Sequence, residues 1–130
     1  MQQFIEPAQD ILNICAELSD MTIGPLNAEQ GEFTETIARN TQRFIEQTMA
    51  FANYIALMQA GEGDFAIAHD WRTPLAPMVG YSDLLAEEMV GPLNNAQRDA
   101  YQRIYLHSIY LRDAVKALVD FAKNNGEQAG

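Results

Sequence analysis

Four residues, Gly24-Pro25-Leu26-Asn27, recur as Gly91-Pro92-Leu93-Asn94, and this repeat constrains the fold more than any other feature of the chain. The same offset (91 − 24 = 67) pairs Pro7 with Pro74, Leu18 with Leu85, Gln30 with Gln97, Ile37 with Ile104 and Ala50 with Ala117. One supersecondary unit is therefore built twice, with a Gly-Pro break at the same turn in each copy.

The hydrophobic register supports the repeat. After the second turn, Tyr101, Ile104, Ser108, Leu111, Val115, Leu118 and Ala122 recur at alternating steps of three and four, which is the seam of a helix packed in a bundle. Their mates in the first copy are Thr34, Ile37, Thr41, Phe44, Thr48, Phe51 and Ile55. Ahead of the turns, Trp71, Leu75, Met78, Ser82, Leu85 and Met89 correspond to Phe4, Ala8, Ile11, Cys15, Leu18 and Thr22. No segment alternates as a strand would. The reading is all-α, with helices at about 3–22, 28–60, 64–90 and 95–124. Asn27 and Asn94 are candidate N-caps, Asp64 a candidate cap for the third helix, Gly61-Glu62-Gly63 a flexible link, and the end from Asn124 a frayed tail. By segment, 1–60 is a first hairpin, 61–63 a linker, 64–124 a second hairpin and 125–130 the tail.

Chemical parts gather in His69-Asp70-Trp71-Arg72-Thr73-Pro74-Leu75. With Trp71, Leu75 and Met78 on the seam, His69 falls on the solvent side, and Thr73, Ala76 and Gly80 continue its strip at steps of four, three and four. Those small side chains leave room for a second protein to approach the imidazole. A neutral imidazole is a nucleophile near pH 7, and a neighbouring carboxylate such as Asp70 can hold one ring nitrogen protonated so that the other attacks. Pro74 removes a donor and should bend the helix, and Pro77 should add a second break. His107, paired by the repeat with Asn40 and without an acidic neighbour in sequence, reads as structural. Met21, Met49, Met58, Met78 and Met89 read as core or near-core filler, and Tyr101, Tyr105 and Tyr110 as rim residues.

Together with Gly80-Tyr81-Ser82-Asp83-Leu84-Leu85, this stretch resembles the dimerisation and histidine-phosphotransfer domain of sensor histidine kinases, whose box reads H-[DE]-x-[RK]-[TN]-P-L. The resemblance covers roughly residues 64–123. It implies that His69 is the phosphoacceptor, that Asp70 is its base or orienting acid, and that Thr73 stands where many relatives position a water to dephosphorylate a response regulator. Arg72, Ala76 and Gly80 would meet the partner, although the plainer reading of Arg72 is a surface cation pairing with acids of the first repeat. Pro77 departs from the commoner family pattern. Domains of this family are hairpins that pair into four-helix bundles. Here one chain supplies both hairpins, so the expectation is an antiparallel up-down-up-down bundle, a monomeric single-chain pseudo-dimer. A dimer of two chains, with exchanged hairpins or with bundles side by side, is the alternative. In the first copy the box has decayed to Gln2, Gln3, Glu6 and Pro7, and the strip to Glu6, Gln9 and Asn13, which implies one active face.

Charge limits the partners. The chain carries a net charge of −10, and its first 63 residues hold nine acids against two arginines. Nucleic acid is excluded as a partner, because phosphate contacts need clustered cations. No apolar run reaches membrane-spanning length, so the expected location is cytoplasmic. Cys15 is the only cysteine, which rules out an internal disulfide and a multi-cysteine zinc site, and no cofactor or metal is expected. No phosphate-binding loop is present, so phosphate is expected from a separate histidine kinase or from the receiver domain of a response regulator. Two function classes stand: a histidine-containing phosphotransfer protein without ATP-dependent kinase activity of its own, with phosphatase action through Thr73 as a further expectation, or a non-catalytic module that sequesters a response regulator, inhibits a histidine kinase or scaffolds one. A fragment of a longer sensor kinase is the third reading.

Overall fold

The computed structural model describes residues 1–63 and 66–129, with side chains as far as Asn125. Six helical segments, and no strand among the described residues, form four rods. The first rod is α1 (Gln2–Ser19). The second is α2 (Ala28–Ala50) continued by α3 (Ala52–Gln59), the third is α4 (Ala66–Arg72) continued by α5 (Leu75–Ala86), and the fourth is α6 (Asn95–Ala129). α1 packs on α2 and α6, and α5 packs on the same two. The result is the expected up-down-up-down four-helix bundle, made of two hairpins in one chain.

The seam is buried as its spacing requires. Phe4, Ala8, Ile11, Leu18, Ile37, Phe44, Ile55, Trp71, Met78, Leu85, Ile104, Leu111 and Val115 form one core. The seam hydroxyls are buried too, and Thr34, Thr41, Thr48, Ser82 and Ser108 each donate to the carbonyl four residues earlier. Polar seam positions therefore bury no unpaired group. Tyr101 is not at the rim but fully enclosed, because the seam phase overrides the polarity of its tip; Tyr110 is exposed. Of the methionines, Met58 and Met78 are core, whereas Met21, Met49 and Met89 are exposed.

The turns explain why Gly-Pro-Leu-Asn survives in both copies. Asn27 and Gln30 form a capping box on α2, the Gln30 N–H donating to Asn27 Oδ1 (2.7 Å) and the Asn27 N–H to Gln30 Oε1 (2.9 Å). Asn94 and Gln97 repeat it on α6 at 2.8 and 3.0 Å. The free amides then cross between hairpins: Asn27 Nδ2 donates to Val90 O and Gln30 Nε2 to Pro92 O, while Asn94 Nδ2 donates to Ile23 O and Gln97 Nε2 to Pro25 O. Each turn thus clasps the other about a pseudo-twofold axis.

Several boundaries differ from expectation. α1 and α5 end at Ser19 and Ala86, short of 22 and 90, because the chain enters the left-handed region at Met21 (φ 60°) and Glu88 (φ 58°). Thr22 and Met89 are consequently exposed and lie off the seam. The second helix bends at Phe51, yet its hydrogen-bond ladder runs through the bend, with the Phe51 N–H on Gln47 O and the Ile55 N–H on Phe51 O. The third breaks once, at Thr73-Pro74. Pro77 adds no second break, because it sits in the first turn of α5, where backbone N–H groups have no helical partner. Gly61 and Glu62 are no loose link: their N–H groups close a Schellman cap on Met58 O and Leu57 O, and Asn125 packs against Gly61. Where the sequence suggests a tail from Asn124, α6 runs on as helix to Ala129, the last residue described. Asp64, the expected third cap, lies outside the described residues.

Candidate functional site

Trp71 sets the phase of α4. It is fully buried, edge-on to Phe4 at 4.8 Å and stacked with Phe44 at 6.1 Å, and its indole N–H donates to Thr48 Oγ1 at 2.8 Å. A helix pinned by so large a side chain cannot rotate, so His69, two residues earlier, faces solvent. Asp70, Arg72 and Thr73 are exposed with it, and so are Ala76 and Gly80 beyond the break. The four strip positions, His69 and Thr73 before Pro74 and Ala76 and Gly80 after it, are thus all exposed.

Proline shapes the backbone here. The N–H that would bond Asp70 O is missing at Pro74, so α4 stops at Arg72. Thr73 closes the end twice over, its N–H and its hydroxyl both donating to His69 O, at 3.1 and 2.8 Å. The carbonyl of His69 is thereby fixed, while its ring has no hydrogen-bond partner among the described residues. Consecutive helical positions point about 100° apart, and His69 and Asp70 are not hydrogen-bonded to each other. Gly80 has open space where a Cβ would stand, so nothing inside the bundle requires glycine there. Beside it, Pro77, Tyr81, Asp83 and Leu84 line an open depression of about 510 Å³. Small side chains and an open hollow along one strip make a surface that a second protein can approach closely.

The repeat-related face lacks these parts. Gln2, Gln3, Glu6, Gln9 and Asn13 are all exposed, and none carries a ring nitrogen that could take the place of the imidazole. His107 has no acid beside it in sequence but has one across the bundle, its Nε2 lying 3.8 Å from Asp10 Oδ2 on α1.

Arg72 also departs from expectation. It lines a groove of about 200 Å³ with Leu75, Ala76, Arg112 and Lys116, and so faces α6 rather than the acids of the first hairpin. The hydrogen bond from Lys116 holds the Asp120 carboxyl below the usual carboxylate range, with Lys116, Lys123 and Arg72 adding their charge. Arg112 and Lys116 went unnoticed in the sequence. The signal was available: in an antiparallel hairpin, residues equally far from the turn face each other, and Arg72 and Arg112 are equidistant from Pro92 (92 − 72 = 112 − 92 = 20). Among the described residues no group of three or more His, Cys, Asp or Glu is placed to hold a metal ion, and no helix is long and apolar enough to cross a membrane.

Residues 66–127 match the His Kinase A (phospho-acceptor) domain. The chain is 27% identical over 95 residues to the histidine protein kinase DivJ of Caulobacter vibrioides, covering 72% of this chain and 15% of that protein. It is 28% identical over 122 residues to the circadian input-output histidine kinase CikA of Synechococcus elongatus, covering 88% and 16%. It is 32% identical over 110 residues to the cell-division control histidine kinase PdhS of Brucella canis, covering 84% and 9%. The chain thus spans less than one fifth of the length of these curated relatives. No solved structure matches it significantly.

Proposed function

Because residues 66–127 belong to the His Kinase A (phospho-acceptor) family of two-component signalling, we propose that this protein is a histidine-containing phosphotransfer protein that accepts and donates phosphate at His69. The observation that carries the reading is the exposed strip of His69, Thr73, Ala76 and Gly80 on the family-matched hairpin, set against Gln2, Glu6, Gln9 and Asn13 at the repeat-related positions. A module that only scaffolds has no need of this asymmetry.

In the proposed step, the unprotonated ring nitrogen of His69 attacks the phosphorus of an aspartyl phosphate on a receiver domain. A P–N bond forms, the P–O bond to the aspartyl carbonyl carbon's oxygen breaks in line, and the carboxylate leaves with the electron pair. The proton on the other ring nitrogen then passes to Asp70 or to water, and donation to a receiver runs the same steps backward. Thr73 serves dephosphorylation of the receiver, while Arg72, Ala76 and Gly80 contact it. We assign the first hairpin, residues 1–60, as a degenerate copy whose role is to complete the bundle, so that the working unit is a monomer.

The test is intact-protein mass spectrometry after mixing the chain with phosphorylated receiver domains from its own genome, wild type beside His69→Ala. The expected result is one phosphoryl group per wild-type chain, lost in acid, and none on the variant. Loss of phosphate from the receiver without any gain here replaces transfer by phosphatase action. Receiver binding with neither gain nor loss replaces it by sequestration.

A further inference from the structure

The charge around the His69 face is unlike that of the rest of the chain. In a molecule with 18 acids and eight Lys/Arg, three of the cations, Arg72, Arg112 and Lys116, line one groove beside Ala76 of the His69 strip. Lys123 joins them around Asp120. Against these four stand Asp113 and Asp120 on α6 and Asp70 beside His69, leaving a local charge of +1 (4 − 3) on a protein of −10. The repeat-related positions are Ile5, Ile45, Met49 and Ala56, without a charge among them. The positive patch therefore exists only on the side that carries His69.

These cations are not packing elements. Arg112 and Lys116 are 52% and 68% exposed in their side chains, and their acid partners are near neighbours on the same helix, Asp113 at 3.2 Å and Asp120 at 2.8 Å. Exposed pairs of this kind contribute little and exchange readily for another acid. A net charge of −10 repels an acidic partner in general, and a local cluster of cations attracts it, which is the condition for steering and for fixing register.

Resting on the phosphotransfer reading above, we propose that the Arg72–Arg112–Lys116 patch is the docking determinant for an acidic receiver face that carries the aspartyl phosphate. The patch positions that face over His69, and the uncharged first-copy groove does not recruit it.

The test compares Arg112→Glu/Lys116→Glu with Arg39→Glu/Arg43→Glu, which changes net charge equally on exposed sites of α2. Phosphoramidate serves as a small donor: its P–N bond to ammonia breaks, ammonia leaves with the electron pair and takes up a proton, and the bond to the imidazole forms. It should load His69 equally in all three proteins. Transfer from the receiver that phosphorylates the wild type should fall about tenfold or more in the Arg112/Lys116 variant at low salt, the gap closing toward 1 M salt. The α2 variant should stay within about threefold of wild type. Equal rates in both double variants, or transfer indifferent to salt, overturn the patch while leaving His69 as phosphoacceptor. Failure of the wild type to take phosphate from phosphoramidate and from every receiver overturns the phosphoacceptor reading, and the patch with it.

Discussion

Thr34 and Tyr101 are the same position in two copies of the repeat (101 − 34 = 67), and their hydroxyls meet at 2.7 Å inside the bundle. Phe4 and Trp71, another such pair, meet edge to face. Mates meet only on an axis that relates the copies, so these contacts trace the pseudo-twofold through the core. The Thr34 hydroxyl also bonds Gln30 O, at 2.7 Å. Tyr101→Phe therefore strands no donor and should cost about 1 kcal/mol, whereas Thr34→Val leaves a buried phenol without its partner and should cost about 2 kcal/mol. The double variant should be no less stable than Thr34→Val alone. Urea denaturation of the three variants checks the order, and a Tyr101→Phe loss exceeding that of Thr34→Val contradicts it.

Gly24 and Gly91 share φ 127°, and a Cβ on either would stand 2.5 or 2.6 Å from the amide nitrogen of Asn94 or Asn27. Conformation and space thus both demand glycine, and the amide that would be displaced is the one clasping the opposite turn. Gly24→Ala and Gly91→Ala should each cost roughly 2–3 kcal/mol, by similar amounts because the turns are equivalent. Thermal melts of the pair are the check, and a loss at one site alone would show that the clasp is not symmetric.

The bundle was legible in the sequence because a helix seam is a local, periodic signal, and Trp71, Leu75 and Met78 fixed the phase that turns His69 outward. The caps at Asn27 and Asn94 were legible for the same reason. The crossed amides of Gln30 and Gln97 were not, since nothing local says where a side chain reaches once its own helix is capped. Met21 and Met89 were misjudged because the chain leaves the helix in left-handed turns that no glycine announces. The groove of Arg72, Arg112 and Lys116 joins residues forty positions apart (112 − 72 = 40), and appears only when the hairpin is folded about Pro92.

Met21 and Glu88 are repeat mates with nearly equal positive φ, yet they are held differently. The Glu88 carboxylate accepts the Leu93 N–H at 2.7 Å and an Arg98 N–H at 3.1 Å, and these bonds hold it below the usual carboxylate range. Met21 is 53% exposed and lends its turn backbone groups alone, its N–H donated to Leu18 O and its carbonyl accepting the Gly24 N–H at 3.3 Å. Met21→Gly should relieve left-handed strain and stabilise the fold by about 0.5–1 kcal/mol, raising Tm by a few degrees. Glu88→Gly loses its anchoring bonds and should gain less or be destabilised. Parallel scanning calorimetry decides this, and a larger gain at Glu88 would refute the comparison.

Cys15 is 2% exposed, and burial pushes its thiol from 9.0 up to about 12. Between those values the unfolded chain gives up the thiol proton while the folded chain keeps it. The unfolded state then binds fewer protons, so the contribution of this group to stability is intact below pH 9 and falls as pH rises toward 12, by up to about 1.4 kcal/mol per unit. Tyr101, raised chiefly by burial, adds to the fall above pH 10. Cys15→Ser is the informative variant, because its repeat mate Ser82 already shows how the bundle houses a hydroxyl there, donating to Met78 O at 2.6 Å. The variant should cost about 1 kcal/mol at pH 7 and lose less stability than wild type between pH 9 and 10. Urea midpoints at pH 8, 9 and 10 for both proteins are the measurement. Parallel slopes would show that the alkaline loss does not come from this thiol.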